Sequence, residues 1–517
     1  MSLAQQLRSS RDSMHLSGDF NVGHVTRVPM RRSTLLLSLA GLLTFMSLGA
    51  RAAPAPRTVV VHEWGTFTSL QNETGETIGG INTDDEPVPA FVHHISDFLL
   101  LKTTQAPLIN SPGAPICNPD VTMRLETPVL YFHLPQDIVP LSGVTVAARF
   151  RGGWLSEHYP AGTVDAPGIT DTPKRFGRLR PDTVSTLVWK NLEVGVDGAG
   201  PATTAHVWTA PRAVQAQAVR TDSGETEKFL FYRGVGHIDA PLVAVQDAAA
   251  GQLVLSSRLA APLAGQAPLT VTAAWLVDVR PDGAVAFRLI PPLTLGSARG
   301  VVATVPLGFA LGDYDGANRA QLVSSLLQEL VTAGLFEEEA QALLSTWELS
   351  YFKSAGLRVF FLVPRQWTDY YLPLTVSVDS RITRVMVGRI ELVTREQRRG
   401  LARIGQMSAQ VISTEAQRMN QAFNRRLTAV MKTAAQDRQT EQLLLDVLTG
   451  GQPLESADVP VPAAYRQYLA LGRFRNALVL DEVARRPTPG MKALISSYGL
   501  EGYQPAEPEA TARAVRR

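Results

Sequence analysis

Residues 58–69, with the sequence TVVVHEWGTFTS, are rich in β-branched and aromatic side chains, and this composition predicts a β-strand. Side chains alternate along a strand, so this one has two distinct faces. One face carries Val59, Val61, Glu63 and Phe67, and the other carries His62, Trp64, Thr66 and Thr68.

Glu63 places a carboxylate on the apolar face of this strand. Burying a carboxylate is costly unless a cation or several hydrogen-bond donors meet it. Arg124, Arg149 and Arg151 are the partners that we expect for a core ion pair. The alternative, a site that contains both His62 and Glu63, requires a bulge at Gly65 that rotates the strand.

The first half of the chain contains further segments with strand composition. They are residues 121–134, 143–151, 185–194, 227–233, 269–279 and 285–290. The last two flank Arg280-Pro-Asp-Gly-Ala284, which predicts a hairpin turn. One helix is expected among these strands, because Phe91, Ile95 and Phe98 recur at helical spacing after two prolines.

The pattern changes after residue 295. Residues 318–332, closed by Gly334, and residues 337–349 predict a helical hairpin; residues 358–363 and 374–393 then return to strand. We predict an α+β protein with an N-terminal antiparallel β-sandwich or barrel-like domain, a mixed α/β segment and a helical C-terminal region. The predicted limits are 53–295 for the β-rich domain, 296–393 for the mixed segment, 394–500 for the helical region and 501–517 for a disordered tail.

Residues 30–52 have the three parts of a bacterial signal peptide: Met30-Arg-Arg32, an apolar run from Leu35 to Leu48, and Ala50-Arg-Ala52 as the cleavage site. We expect residues 1–29 to be a non-native extension upstream of Met30. The mature chain is then periplasmic or extracellular. An uncleaved anchor is the alternative, and Sec export is favoured over the twin-arginine route because Thr34 and Leu36 fit the latter motif poorly.

Composition limits the choice of partners. The first 52 residues contain six arginines and two acidic residues, which leaves 43 basic and 45 acidic residues of the total 49 and 47. A nearly neutral chain gives no electrostatic reason to expect nucleic acid as a partner. The single cysteine, Cys117, excludes an internal disulfide, and no segment after residue 52 has the composition of a membrane span.

Histidines are concentrated in the predicted β-rich domain. All seven histidines that follow the leader lie between His62 and His237. Three short stretches, around Glu63, Glu157 and His237, combine a histidine with a carboxylate and aromatic groups. The candidate metal ligands are His62, His158 and His237; the candidate catalytic acids or bases are Glu63, Glu126 and Glu157; and the candidate ligand-binding residues are Trp64, Arg151, Trp154 and Arg233.

Two kinds of metal fit these residue types. Imidazole and carboxylate groups suit Zn or Fe, although no His-Glu-x-x-His motif is present and the ligands would have to come together across strands. Ca would be bound by oxygen atoms of residues 313–318 or of the acidic loop 82–86. The first of these loops lacks a glutamate at position 324, which favours a role in capping the next helix.

Several blocks of the sequence resemble an uncharacterised family of exported bacterial proteins. The blocks are residues 62–68 (HEWGTFT), 124–132 (RLETPVLYF), 228–234 (KFLFYRG), 333–340 (AGLFEEEA), 350–352 (SYF) and 387–391 (VGRIE). The resemblance implies export and a shared architecture over most of the mature chain. It implies no activity and no catalytic residues.

Two hypotheses about function follow. The first is a non-catalytic envelope or extracellular protein that binds an unknown extracytoplasmic ligand or protein through loops of the β-rich domain. The alternative is a metal-dependent hydrolase that uses the histidines and glutamates named above. The hydrolase hypothesis predicts that several of those residues converge within about 5 Å in a cleft.

Overall fold

The computed structural model describes residues 58–84, 88–95, 101–102, 117–169, 177–419, 421 and 461–502, which form a mixed α+β structure with a large β-sheet. The predicted extension, the leader, most of the predicted tail and residues 422–460 of the predicted helical region lie outside the described residues. The strands are β1 Val59–Gln71, β2 Thr83–Asp84, β3 His93–His94, β4 Leu101–Lys102, β5 Met123–His133, β6 Leu141–Arg151, β7 Gly153–Tyr159, β8 Thr163–Asp165, β9 Val184–Val194, β10 Val219–Arg220, β11 Thr226–Glu227, β12 Leu230–Gly236, β13 Leu242–Asp247, β14 Gln252–Ser257, β15 Leu269–Val271, β16 Ala274–Val279, β17 Val285–Ile290, β18 Leu293–Leu295, β19 Val301–Pro306, β20 Gly356–Leu362, β21 Leu374–Val376 and β22 Ser380–Leu392.

Helices follow mainly in the second half of the chain. They are α1 His206–Arg212, α2 Ala261–Ala264, α3 Asn318–Thr332, α4 Glu337–Thr346, α5 Arg365–Tyr371, α6 Arg395–Gln406, α7 409–419, α8 Ala463–Leu469, α9 Arg475–Arg485 and α10 Pro489–Tyr498. A π-helical turn spans Leu349–Lys353, and short 3-10 turns span Gln136–Ile138 and Leu311–Asp313. None of the helices in the described part of the chain is both long enough and apolar enough to cross a bilayer.

Fifteen of the described strands join one sheet, whose main path runs β11-β10-β9-β7-β12-β5-β1-β22-β20-β16-β17. The predicted antiparallel sandwich or barrel-like domain is not confirmed, because the centre of this sheet contains a parallel pair. β1 pairs with β22 in parallel from Val59↔Ser380 to Gln71↔Leu392, and with β5 antiparallel on its other edge. Strands from the predicted β-rich and mixed segments therefore share one sheet.

β1 is covered on both faces. Val61 and Phe67 belong to one core cluster, and Trp64 belongs to a second cluster that contains the inward faces of α3 and α4. Leu70 belongs to a third cluster, which packs against α6 and α8 to α10. Side chains of β1 thus contact three separate groups of buried residues.

Local sequence signals locate several elements well. The helix predicted at 318–332 matches α3, and its buried Leu322, Leu326 and Leu330 recur every fourth residue. Gly334 follows with a φ of 109°, a conformation that favours glycine. The hairpin predicted around Arg280-Ala284 joins β16 and β17, and the Arg280 amide donates a hydrogen bond to the Ala284 carbonyl.

The helix predicted from Phe91, Ile95 and Phe98 was wrong in its described part. His93 and His94 form the short strand β3, which pairs with β7. The Phe91 ring packs edge-on against Tyr159 and Trp208, with centroids 5.0 and 5.3 Å away. These tertiary contacts override the helical tendency that the spacing of apolar residues indicated. Phe98 lies outside the described residues.

Candidate functional site

Glu63 forms the predicted core ion pair, with a partner that was not predicted. Its carboxylate accepts hydrogen bonds from Arg384, which is in register with it on β22, and from the Tyr232 hydroxyl at 2.5 Å. Arg384 also donates to Asp369 at 2.9 Å. Glu63 is 1% exposed and Arg384 is 7% exposed, so both charges are buried. Two groups, Arg384 and Tyr232, therefore hold this buried carboxylate in the core.

The opposite face of the sheet carries a row of buried charges contributed by five strands. We call it the charged belt, and from β7 through β12, β5 and β22 to β20 it consists of Glu157, Arg233, Arg124, Glu126, Arg389, Glu391 and Arg358. The Arg233–Glu157 and Arg389–Glu391 pairs are 3.6 and 3.4 Å apart, and Arg358–Glu391 is 3.1 Å apart. Arg473, which precedes α9, reaches Glu126 from above the sheet.

The arginines of the belt keep its carboxylates ionised. Burial raises the pKa of the Glu126 carboxyl, but the charges of Arg473 and Arg124 outweigh burial and hold this pKa below its usual value. Burial likewise raises the pKa of Glu157, and a hydrogen bond from His94 together with the Arg233 charge lowers it overall. A carboxylate that is buried and bound by guanidinium groups is a structural anion and a poor general base.

His158 lies next to the belt on β7. Its ring stacks on His93 with centroids 5.3 Å apart, and His93 in turn lies 3.0 Å from the Glu225 carboxylate. Burial and, to a lesser extent, the neighbouring His93 lower the pKa of His158 to about 4, although a hydrogen bond with the Gly162 backbone and the Glu225 charge oppose this shift. Its Nδ1 is buried and has no hydrogen-bond partner among the described residues. His158 is therefore neutral at physiological pH.

The two tryptophans that were candidate ligand-binding residues are core residues. Trp64 and Trp154 both have no exposed surface. The Trp154 indole N–H donates to the Pro167 carbonyl at 2.8 Å, and the Trp64 ring lies 6.4 Å from that of Tyr131. Neither ring is available to a ligand at the surface.

His62 contributes to a compact histidine–glutamate cluster. His62 Nδ1 lies 2.7 Å from Glu339 Oε2, and His133 Nε2 lies 2.9 Å from Glu339 Oε1. One ligand-type atom from each residue lies within 4.8 Å of the other two. We call this group the His–Glu–His cluster. Among the described residues, it is the group in which at least three potential metal-ligating side chains come together.

Three elements position the cluster. Val60 on β1 pairs with His133 at the end of β5, and His62 lies two residues further along β1. His62 and His133 are therefore diagonal neighbours on the same face of the sheet. Glu339 is the third residue of α4, where acidic side chains are favoured by the helix dipole, and its Oε2 also accepts the Phe336 amide at 2.8 Å. The Phe336 ring packs against both imidazoles at 4.6 and 4.8 Å.

Glu339 is ionised in this position. Burial raises the pKa of its carboxyl, but the hydrogen bonds from His133 and His62 outweigh burial and lower the pKa overall. The sequence indicated Glu339 only as a helix N-terminal residue. Its distance of 277 residues from His62 along the chain left no local signal that the two would meet.

A third place, an open cleft of about 370 Å³, contains the remaining candidates, His237 and Arg151. It lies between the turn after β6, the loop after β12, the segment that joins β14 to α2, and the end of α5. Its lining is Thr122, Arg151, Pro181, His237, Ile238, Asp239, Arg258, Leu259, Ala260, Arg299, Tyr370 and Tyr371. We call it the arginine cleft.

Basic groups dominate the arginine cleft. Arg258 pairs with Asp239 at 3.0 Å, and the Arg151 guanidinium lies over the Tyr370 ring at 5.3 Å. Arg151 and Arg299 therefore line the cleft without a carboxylate partner among its described lining residues. His237 Nδ1–H donates to the Asp120 carbonyl at 2.6 Å, which fixes the orientation of the ring.

In the loop proposed for Ca, two carboxylates accept hydrogen bonds from backbone amides of the loop itself. Asp313 accepts the Ala310 amide and Asp315 accepts the Ala317 amide, each at 2.7 Å, and Asn318 begins α3. The loop therefore turns the chain, but the expected capping of α3 is wrong, because its N-cap is Ala317 and no side chain forms a capping hydrogen bond. The second acidic loop extends to residues 85–86, which lie outside the described residues.

The candidate residues thus fall in separate places. Glu126, Glu157 and Arg233 meet in the charged belt, His62 joins the His–Glu–His cluster, and His237 and Arg151 line the arginine cleft. His62, His158 and His237 do not share one cluster of ligands among the described residues. Comparison with protein-family models and with curated proteins gives no match to this chain.

Proposed function

We propose that the protein is exported and binds a small organic anion in the arginine cleft, without catalysing its conversion. The observation that carries this proposal is the pair of guanidinium groups, Arg151 and Arg299, that face one open cleft without a carboxylate partner among its described lining residues. Guanidinium groups bind carboxylate and phosphate in a bidentate geometry, and a site of this volume is typical for small ligands.

The other walls of the cleft favour an anion with an organic part. Tyr370 and Tyr371 lie edge-to-face at 4.9 Å, and Ile238 and Leu259 add aliphatic surface beside them. Aromatic and aliphatic walls bind the carbon skeleton of a ligand, while the arginines bind its charged group. The ligand class is therefore a carboxylate or phosphate attached to a small ring or chain.

Titration of the full chain with citrate, glucuronate and glycerol 3-phosphate, followed by calorimetry, tests this proposal. We expect one binding event for at least one probe, weakened roughly tenfold or more by Arg151→Ala or Arg299→Ala, since a hydrogen bond to a charged group contributes about 1.5–3 kcal/mol. Added salt should also weaken binding. Arg220→Ala, at an exposed pair with Glu193 outside the cleft, is the matched control. Failure of all three probes, or an equal loss with Arg220→Ala, would contradict the proposal.

Export rests on the leader at residues 30–52 and on the family resemblance. We expect a bacterial host to accumulate periplasmic protein that begins near Ala53, as measured by mass spectrometry of the intact chain. Leu42→Arg combined with Leu43→Arg should stop export, because charges interrupt the apolar run. Arg31→Lys with Arg32→Lys should leave export intact on the Sec route. Protein that retains its leader in the membrane would instead indicate an uncleaved anchor.

The alternative function, a metal-dependent hydrolase, finds less support from these residues. It needed Glu63, Glu126 or Glu157 as an accessible base, and these carboxylates are buried against arginines. It also needed several of the named histidines and glutamates to converge on one point, and of these only His62 belongs to a ligand cluster among the described residues. The binding hypothesis requires only the exposed groups of one cleft.

A further inference from the structure

We propose that His62, His133 and Glu339 bind one divalent transition-metal ion of the zinc or iron(II) class. Two imidazoles and one carboxylate are a ligand set that suits zinc and non-haem iron. The three groups come from β1, β5 and α4, so the fold brings them together and no local motif does. This site is independent of the arginine cleft and of any ligand bound there.

The present spacing is close to what a metal ion requires. Ligand atoms about 2.0–2.2 Å from one ion lie about 2.8–3.1 Å from each other in octahedral geometry and about 3.3–3.6 Å in tetrahedral geometry. The two N···O distances in the cluster are 2.7 and 2.9 Å. One ligand atom from each of the three residues lies within 4.8 Å of the other two, so side-chain movements on the order of 1 Å, which lengthen the N···O distances and shorten the longest separation, are enough to place all three around one ion.

Metal binding changes which ring nitrogen carries the proton. In the hydrogen-bonded cluster His62 Nδ1 and His133 Nε2 each face a Glu339 oxygen. A ligating nitrogen must offer its lone pair, so the proton of a neutral ring passes through solvent to the other nitrogen of that ring. Glu339 then exchanges two hydrogen bonds for coordination and keeps the bond from the Phe336 amide.

The ion can reach the cluster from the surface. The His133 side chain is 17% exposed, whereas those of His62 and Glu339 are 3% and 0% exposed. Phe336 covers both rings and limits the size of what enters. A bound ion would tie α4 to the centre of the sheet, and binding to the folded state alone raises thermal stability.

The test uses full-length protein purified without a chelator or histidine tag and titrated with Co²⁺ as a spectroscopic probe. We expect one equivalent of Co²⁺ to bind, with visible d–d absorption and a rise in melting temperature. The affinity for Co²⁺ should fall at least tenfold with His133→Ala or Glu339→Gln. His206→Ala, which changes an exposed histidine on α1, is the matched control. X-ray absorption of the zinc-loaded wild type should show two imidazole ligands near 2.0–2.1 Å, which tests the proposal even where a variant fails to fold. No Co²⁺ binding, binding unchanged in both variants, or a zinc site with fewer than two imidazoles would overturn it.

Discussion

Replacing Arg384 with Met is expected to lower the free energy of unfolding by about 3–5 kcal/mol, because the buried Glu63 carboxylate then loses its cation. Both groups are almost fully buried, and Tyr232 alone would remain to hydrogen-bond Glu63. Urea denaturation of the wild type and the variant, followed by circular dichroism, measures the change.

The matched control removes both charges. Glu63→Leu combined with Arg384→Met leaves no unpaired buried charge, so we expect this double variant to recover most of the stability lost by the single change. A single variant as stable as the wild type would show that the Glu63 carboxylate does not depend on Arg384. A double variant as unstable as the single one would show that the loss of stability comes from disrupted packing and not from an unpaired charge.

Acidification from pH 6.5 to pH 4 is expected to destabilise the protein by about 3 kcal/mol through His158 alone. Its folded pKa is about 4 because the ring is buried next to His93, whereas an unfolded histidine has a pKa of about 6.5. The unfolded chain therefore binds more protons in this window. The stability contributed by neutral His158 is present above about pH 6.5 and is lost as the pH falls toward 4.

His158→Gln keeps a neutral polar group in the same place and removes this titration. Urea denaturation at half-unit steps of pH should give a flatter curve for the variant between pH 6.5 and 4.5, above the range in which the carboxylates of the charged belt lose their charge. Curves for the wild type and the variant that run parallel across this window would exclude His158 as the source.

The sequence allowed the local elements to be predicted, but not the long-range pairing. The helix at 318–332 and the hairpin at 280–284 depend on spacing and turn residues, which are local signals. The ion pair of Glu63 also followed from alternation, which places its carboxylate on an apolar face. Arg384 was missed because it belongs to a parallel strand 321 residues away, and no property of either segment specifies the other as its partner.

The candidate sites show the same limit. Residue type correctly drew attention to Glu126, Glu157 and Arg233, but it could not distinguish a buried ion-pair row from a catalytic group. That distinction depends on burial and on arginines contributed by other strands. Glu339 had no chemical signal beyond helix capping, and only the packing of α4 against β1 and β5 places it between two histidines.

The parallel pairing of β1 with β22 has a consequence for how the chain is made. β1 leaves the ribosome early, yet one of its edges is completed only after residues 380–392 have been synthesised. Until then an apolar strand exposes unpaired backbone groups, which is a hazard for aggregation. Such a chain folds late and slowly, because its central contact spans most of its length. Truncation before residue 380 therefore leaves one edge of β1, in the middle of the sheet, without its pairing strand.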